Sequence, residues 1–233
     1  MARPGRRAGV PHRQPRAPRP IVQGLRGLRP RADLARPPRR HRPPPTTAHP
    51  VTRPVHHRPG ARVLVLAGDA VLLIADSDPG VAGSCWWVTP GGGVDDGESA
   101  REAAAREAHE ETGLPVAPEQ LEGPVAERIA VHGYSDRVLV QPESFFLLRT
   151  ERFEPDRLAW SDNENRRLKG FRWWPVPELP EEVWPADLPR LARWDGGEPV
   201  QLGVMDESTV ALDRAELSRV QDYLRGSAPR RSP

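Results

Sequence analysis

The sequence predicts an α/β fold, of the α+β kind with a mixed sheet, and three observations carry that expectation. Short runs rich in Leu and β-branched residues are separated by Gly, Asp and Pro, the usual signature of strands and their turns. Residues 99–113 carry helix signals at both ends. The remaining strands and helices follow one another without the regular alternation that parallel βαβ units require.

From the N-terminus, residues 1–60 hold fifteen Arg against a single acid, Asp33, together with 14 of the 29 Pro and no Phe, Tyr or Trp. So little apolar surface cannot offset the entropy of ordering, and residues 1–58 are read as a disordered Arg/Pro-rich arm. Two readings of the arm stay open. It is a basic segment that binds nucleic acid through phosphates, or it is a tail or misassigned start in a chain whose 34 basic residues include one Lys, Lys169. Residues 61–233 carry 19 basic and 31 acidic side chains, so the net +2 conceals an acidic folded part. No run of about 18 apolar residues exists to span a membrane. The basic N-terminus lacks an apolar signal-peptide core, and its prolines break any amphipathic targeting helix. Cys85, the one cysteine, excludes an internal disulfide and a Cys-rich zinc site. The expectation is a cytoplasmic protein without a membrane partner, with a catalytic-sized domain over 59–200 and a C-terminal tail, 201–233, bearing a short helix.

Within the domain, residues 62–67 (RVLVLA) and 71–75 (VLLIA) read as a hairpin turning at Gly68-Asp69. Residues 86–89 form a short strand stopped by Pro90 and Gly91–Gly93. The helix begins at Ser99, with Glu102 completing a capping box, and ends at Gly113 before Pro115. Ala100, Ala103, Ala104 and Ala108 make a small-residue stripe that lets it lie close to a sheet. Strands are expected at 125–131, 138–140, 144–150 and 171–175, and helices at 188–194 and 213–225, the last with a capping box Asp213…Glu216. In the pairs Trp86-Trp87 and Trp173-Trp174, neighbours on a strand point to opposite faces.

Chemistry concentrates on the first helix. Glu107, Glu110 and Glu111, at i, i+3 and i+4, share one face. Three like charges there destabilise a helix unless a hard divalent cation sits among them, and carboxylate oxygens suit Mg²⁺ or Mn²⁺. Arg106 can pair with Glu98 across the preceding loop or with Glu102 at i−4. The glycines let the backbone approach, so that a carbonyl can add a ligand. His109 points away from Glu107 and Glu111.

Residues 92–114, GGVDDGESAREAAAREAHEETGL, resemble the Nudix box, G-x₅-E-x₇-R-E-U-x-E-E-x-G-U with U aliphatic. Gly92, Glu98, Arg106, Glu107, Glu110, Glu111, Gly113 and Leu114 match, and Ala108 fills the first U with a smaller residue than usual. The segments 86–92 and 171–174 resemble the flanks of that box, so the resemblance covers roughly residues 62–196. It implies a Nudix-like α/β/α sandwich and Mg²⁺-dependent hydrolysis of a nucleoside diphosphate linked to another moiety. It further implies Glu110 and Glu111 as principal metal ligands, Glu107 as ligand or general base, and the Gly91 carbonyl completing the sphere. Arg106 and Glu98 would support the box. Some relatives add a carboxylate from a loop before the last strand, for which Glu164 is the candidate. The rival reading is a sensor that binds a nucleotide or ADP-ribose without cleaving it. Such domains usually lack one box carboxylate, and all four are present here. Subfamily marks name no substrate: Tyr134 and Ala130 do not match the Tyr and Pro spacings of two known classes.

Overall fold

The computed structural model describes residues 53–157 and 160–227. The arm expected over 1–58 lies outside the described residues except for its last six. Ten strands form one mixed sheet: β1 Val55–His57, β2 Gly60–Ala67, β3 Ala70–Asp76, β4 Trp86–Val88, β5 Gly91–Gly93, β6 Glu122–Gly133, β7 Val138–Arg149, β8 Gly170–Pro175, β9 Val183–Trp184 and β10 Val200–Asp206. The main path runs β10-β6-β7-β2-β3-β4-β9, with β1 on β7, β5 on β2 and β8 on β3. Among the described residues four α-helices accompany it: α1 Ala100–Thr112, α2 Asp162–Arg167, α3 Leu188–Leu191 and α4 Arg214–Ser227.

The hairpin at Gly68-Asp69 forms as expected, with Ala67 opposite Ala70 and Gly68 at a positive φ of 62° that favours glycine. β2 is buried on both faces, which is why its sequence reads as a continuous apolar run. Val63 and Val65 pack with Ala103, Ala104 and Ala108 of α1. Leu64 and Leu66 face the other way, onto Leu188 and Leu191 of α3. Helices thus cover both faces of the sheet. The alanine stripe brings α1 close, and its buried carboxylates come close with it.

Several boundaries differ from the sequence reading. The strands expected at 138–140 and 144–150 are one, β7, running through Gln141, Pro142 and Glu143. Gln141 and Glu143 are buried, and Glu143 lies between two arginines, so a polar stretch that looked like a break is interior strand. β6 is longer than 125–131, running Glu122–Gly133, and Arg128 is buried within it. Residues 201–206, assigned to the tail, belong to β10, which pairs in parallel with β6. The bulge between Gln201 and Gly203 hides any alternation. Residues 55–57, assigned to the arm, form β1 against β7. The ring of His57 stacks on Tyr223 of α4 at 3.9 Å, and Arg53 pairs with buried Glu216 at 2.6 Å. Helix α4 keeps its capping box, the Asp213 and Glu216 N–H groups each donating to the other's carboxylate at 2.9 and 2.8 Å. Helix α3 ends at Leu191 rather than 194, and α2 is a helix where a loop was expected.

Candidate metal centre

Helix α1 is set by its caps. Ser99 Oγ accepts the Glu102 N–H at 3.2 Å, and Glu102 returns the bond by accepting the Ser99 N–H at 2.8 Å. Gly113, at φ 74°, ends the helix and donates to the His109 carbonyl at 2.8 Å. With Glu102 held in the cap, Arg106 takes the other of its two partners. Its Nε and Nη2 both donate to Glu98 at 2.9 Å, and Nη2 also reaches the Gly93 carbonyl at 3.0 Å. Nη1 donates to Glu107 at 3.0 Å and Glu110 at 3.1 Å. One guanidinium therefore ties the glycine segment, the loop acid and two helix carboxylates together.

The glycines are needed for close approach. A Cβ on Gly92 would lie 2.4 Å from a Glu107 carboxylate oxygen, and one on Gly91 would lie 2.4 Å from the Ala61 carbonyl. Gly91 donates its N–H to Glu111 Oε2 at 2.8 Å, so the contact the structure shows is through that nitrogen.

Glu107, Glu111 and Glu164 each present an oxygen, and these oxygens lie within 4.8 Å of one another. Glu164 arrives on α2, where it accepts the Ser161 N–H at 2.7 Å in the capping box. Glu110 stands outside this group, its side chain 44% exposed and turned to Arg106. His109 is exposed, as expected. Burial pushes the Glu111 carboxyl up to about 8, the Gly91 hydrogen bond only partly opposing it. Burial also raises Glu107, against the pull of Arg106. Three carboxylates so close, two of them buried, repel one another unless a cation joins them. An all-oxygen donor set of this kind fits a hard divalent ion.

Behind Glu111 lies a cavity of about 30 Å³, room for one water. Arg62, Asp76, His132, Tyr134 and Arg167 line it, and Trp86 and Trp184 close it, stacked at 4.6 Å. Neither ring nitrogen of His132 has a hydrogen-bond partner among the described residues, and Glu207 stands 3.8 Å away. Burial lowers that imidazole to about 4, so it is neutral at pH 7. Arg62 donates to Glu143 at 2.5 Å and to the Thr89 carbonyl at 3.1 Å. Glu143 in turn accepts from Arg128 at 2.7 Å, and Arg128 reaches Glu207 of the C-terminal segment. The sequence reading missed this set. Its signal was present as charged residues inside strands, at 62, 128 and 143, where alternation fails. The tryptophans all go to packing: Trp86 and Trp87, and likewise Trp173 and Trp174, split between opposite core clusters.

A capped helix carrying a glycine-tethered carboxylate cluster, laid on a mixed sheet, makes an α/β domain with a candidate metal centre. The NUDIX domain family model matches residues 56–194, more than half of the chain, and the chain belongs to the Nudix hydrolase family. An uncharacterized Nudix hydrolase, YvcI of Bacillus subtilis (strain 168), is 44% identical over 55 residues, 24% of this chain and 32% of that protein. The match thus spans about a third of that relative's length. Among solved structures, the MutT NUDIX hydrolase of Burkholderia pseudomallei aligns with 60% of this chain and 99% of its own, at 23% identity and a TM-score of 0.40. An Ap4A hydrolase of C. elegans aligns with 58% of this chain and 93% of its own, at 20% identity and a TM-score of 0.40. Among the described residues no helix is long and apolar enough to cross a membrane.

Proposed function

We propose that this protein hydrolyses a nucleoside diphosphate linked to another moiety, with water attacking phosphorus in a Mg²⁺- or Mn²⁺-dependent reaction. The observation that carries the reading is the convergence of Glu107, Glu111 and Glu164 within 4.8 Å, beside a glycine segment tied down by Arg106. Glu111 and Glu164 would hold the ion, with Glu107 as a further ligand or the base. Glu110 is the proposed ligand of the outer side, and the Gly91 carbonyl a backbone ligand. A bound divalent ion neutralises pyrophosphate oxygens and lowers the pKa of a water. In the base role Glu107 accepts the proton of the attacking water, its burial having raised its affinity for one. Arg106 cannot ligate a cation; it keeps Glu107, Glu98 and the Gly93 carbonyl in fixed relation.

The test is a turnover screen of the purified protein against nucleoside triphosphates, ADP-ribose, nucleotide sugars and dinucleoside polyphosphates, with and without Mg²⁺. Metal-dependent release of a phosphomonoester product is expected for at least one class. Tight binding of a nucleotide with no hydrolysis in any of them would instead make the chain a sensor.

A further inference from the structure

We propose that Arg167 is a positioning residue whose ion pair with Asp76 latches α2 to β3 and so holds Glu164 in the carboxylate cluster; this rests on the metal-dependent reading above. Helix α2 is six residues long, too short to persist without tertiary support. On its N-terminal side the Trp160 indole N–H donates to the Glu111 carbonyl at 2.8 Å, and on its C-terminal side it is held to β3. Arg167 Nη1 lies 3.3 Å from Asp76 Oδ2, and the Ser77 hydroxyl donates to the Arg167 carbonyl at 2.8 Å. Just beyond the helix, the Lys169 N–H donates to the Ala75 carbonyl at 2.8 Å. These last three contacts grip residues 75–77 at the end of β3.

Asp76 is only 5% exposed. Burial raises its carboxyl, and Arg167 is the main charge opposing that. A buried carboxylate without its partner is costly, so the pair has one favoured geometry. Glu164 and Arg167 are three residues apart on α2 and share a face. Fixing the arginine to β3 therefore fixes the glutamate relative to the sheet on which α1 is packed. Two of the clustered carboxylates come with α1; Trp160 anchors the start of α2 to it, and the latch fixes the far end and so the register of the third.

Arg167 also lines the cavity beside Glu111, and this makes the inference decidable by sign. A cation close to a metal centre repels a dication, so removing it should tighten metal binding if proximity were its whole effect. Removing a latch should weaken binding, because Glu164 loses its place.

The experiment measures Mn²⁺ affinity of the metal-stripped full chain by titration calorimetry, alongside circular dichroism. The variants are Arg167→Ala, Arg167→Lys, Asp76→Asn, Glu164→Gln and the double variant Glu164→Gln/Arg167→Ala. Arg167→Ala is expected to weaken Mn²⁺ binding about tenfold, the range in which residues supporting metal ligands act. Asp76→Asn should do the same, and it carries the test if Arg167→Ala does not fold. Arg167→Lys should recover part of the loss. The double variant should bind no worse than Glu164→Gln alone, since the two residues act through one ligand. Unchanged or tighter binding in a folded Arg167→Ala or Asp76→Asn protein would overturn the latch. Absence of Mn²⁺ binding in the unsubstituted protein would overturn the metal reading itself, and the latch with it.

Discussion

Glu143 and Glu111 are both buried glutamates in the field of Arg62, yet the fold treats them oppositely. Glu143 sits between Arg62 and Arg128, at 2.5 and 2.7 Å. Burial would raise its carboxyl, but the two guanidinium groups outweigh that and hold it at about 2. Glu111 has one backbone N–H and no paired guanidinium, so burial, helped by the like charge of Glu107, pushes it up to about 8. Along Glu207–Arg128–Glu143–Arg62 the charges alternate and the protein supplies every counter-ion. In the cluster they do not alternate, and burial leaves Glu111 favouring its protonated form; in the proposed function a divalent ion supplies the opposite charge. Compensated burial makes a scaffold, and uncompensated burial makes a site.

The largest effect should come from breaking the compensated chain. Glu143→Ala leaves two buried guanidinium groups without their carboxylate, and a loss of about 3–5 kcal/mol is expected in urea unfolding. A loss below that of an ordinary surface substitution would show that Arg62 and Arg128 find other partners.

Next comes the uncompensated side. Glu111→Gln should lower turnover at saturating Mg²⁺ by on the order of 100-fold or more. The same change should leave the melting temperature in EDTA equal at neutral pH, where Glu111 is largely protonated, and higher at pH 8 and above, where it removes one of three like charges. Wild-type turnover would remove Glu111 from the site.

The two glutamates also give opposite pH dependences. Glu143 has a depressed pKa, so its contribution is present above about 4.5 and is lost as pH falls through about 2. Glu111 has a raised one, so its contribution is present below about 4.5 and is lost as pH rises through about 8. Metal-free protein should therefore melt progressively lower between pH 5 and pH 8. Saturating Mg²⁺ should flatten that slope, and so should Glu111→Gln. A slope unchanged by either would separate it from Glu111.

A smaller effect concerns where the fold ends. A 58–233 truncation removes β1 and Arg53, and with it the partner of buried Glu216. It should melt below a 53–233 protein, while the latter matches the full chain. Equal melting of the two truncations would return residues 53–57 to the arm.

The smallest test is a pair of double-mutant cycles on α1. Glu98→Ala and Arg106→Ala should be non-additive in turnover. Glu102→Ala should cost about 1 kcal/mol through the cap and should add simply to Arg106→Ala. Strong coupling of Glu102 with Arg106 would move the loop fastener to the other acid.

What could be read from the amino-acid order was whatever a few residues decide together. The capping boxes at Ser99 and Asp213, the Gly113 stop, the Gly68 turn and the carboxylate face of α1 all follow from spacings shorter than two helical turns. The box register came with them, and so did both choices for Arg106, of which the Ser99 cap left only Glu98 by occupying Glu102. Tertiary structure alone decided the rest. Glu164 is 53 residues from Glu111 and reaches it because β8 pairs with β3 and Arg167 meets Asp76. Glu110 was indistinguishable from Glu111 by spacing, and only packing buries one and leaves the other to Arg106. The stretch 141–143 looked like a break because a charge such as Glu143 inside a strand is tolerated only beside its counter-charge. That counter-charge lies on another strand, at a distance along the chain that no local pattern encodes.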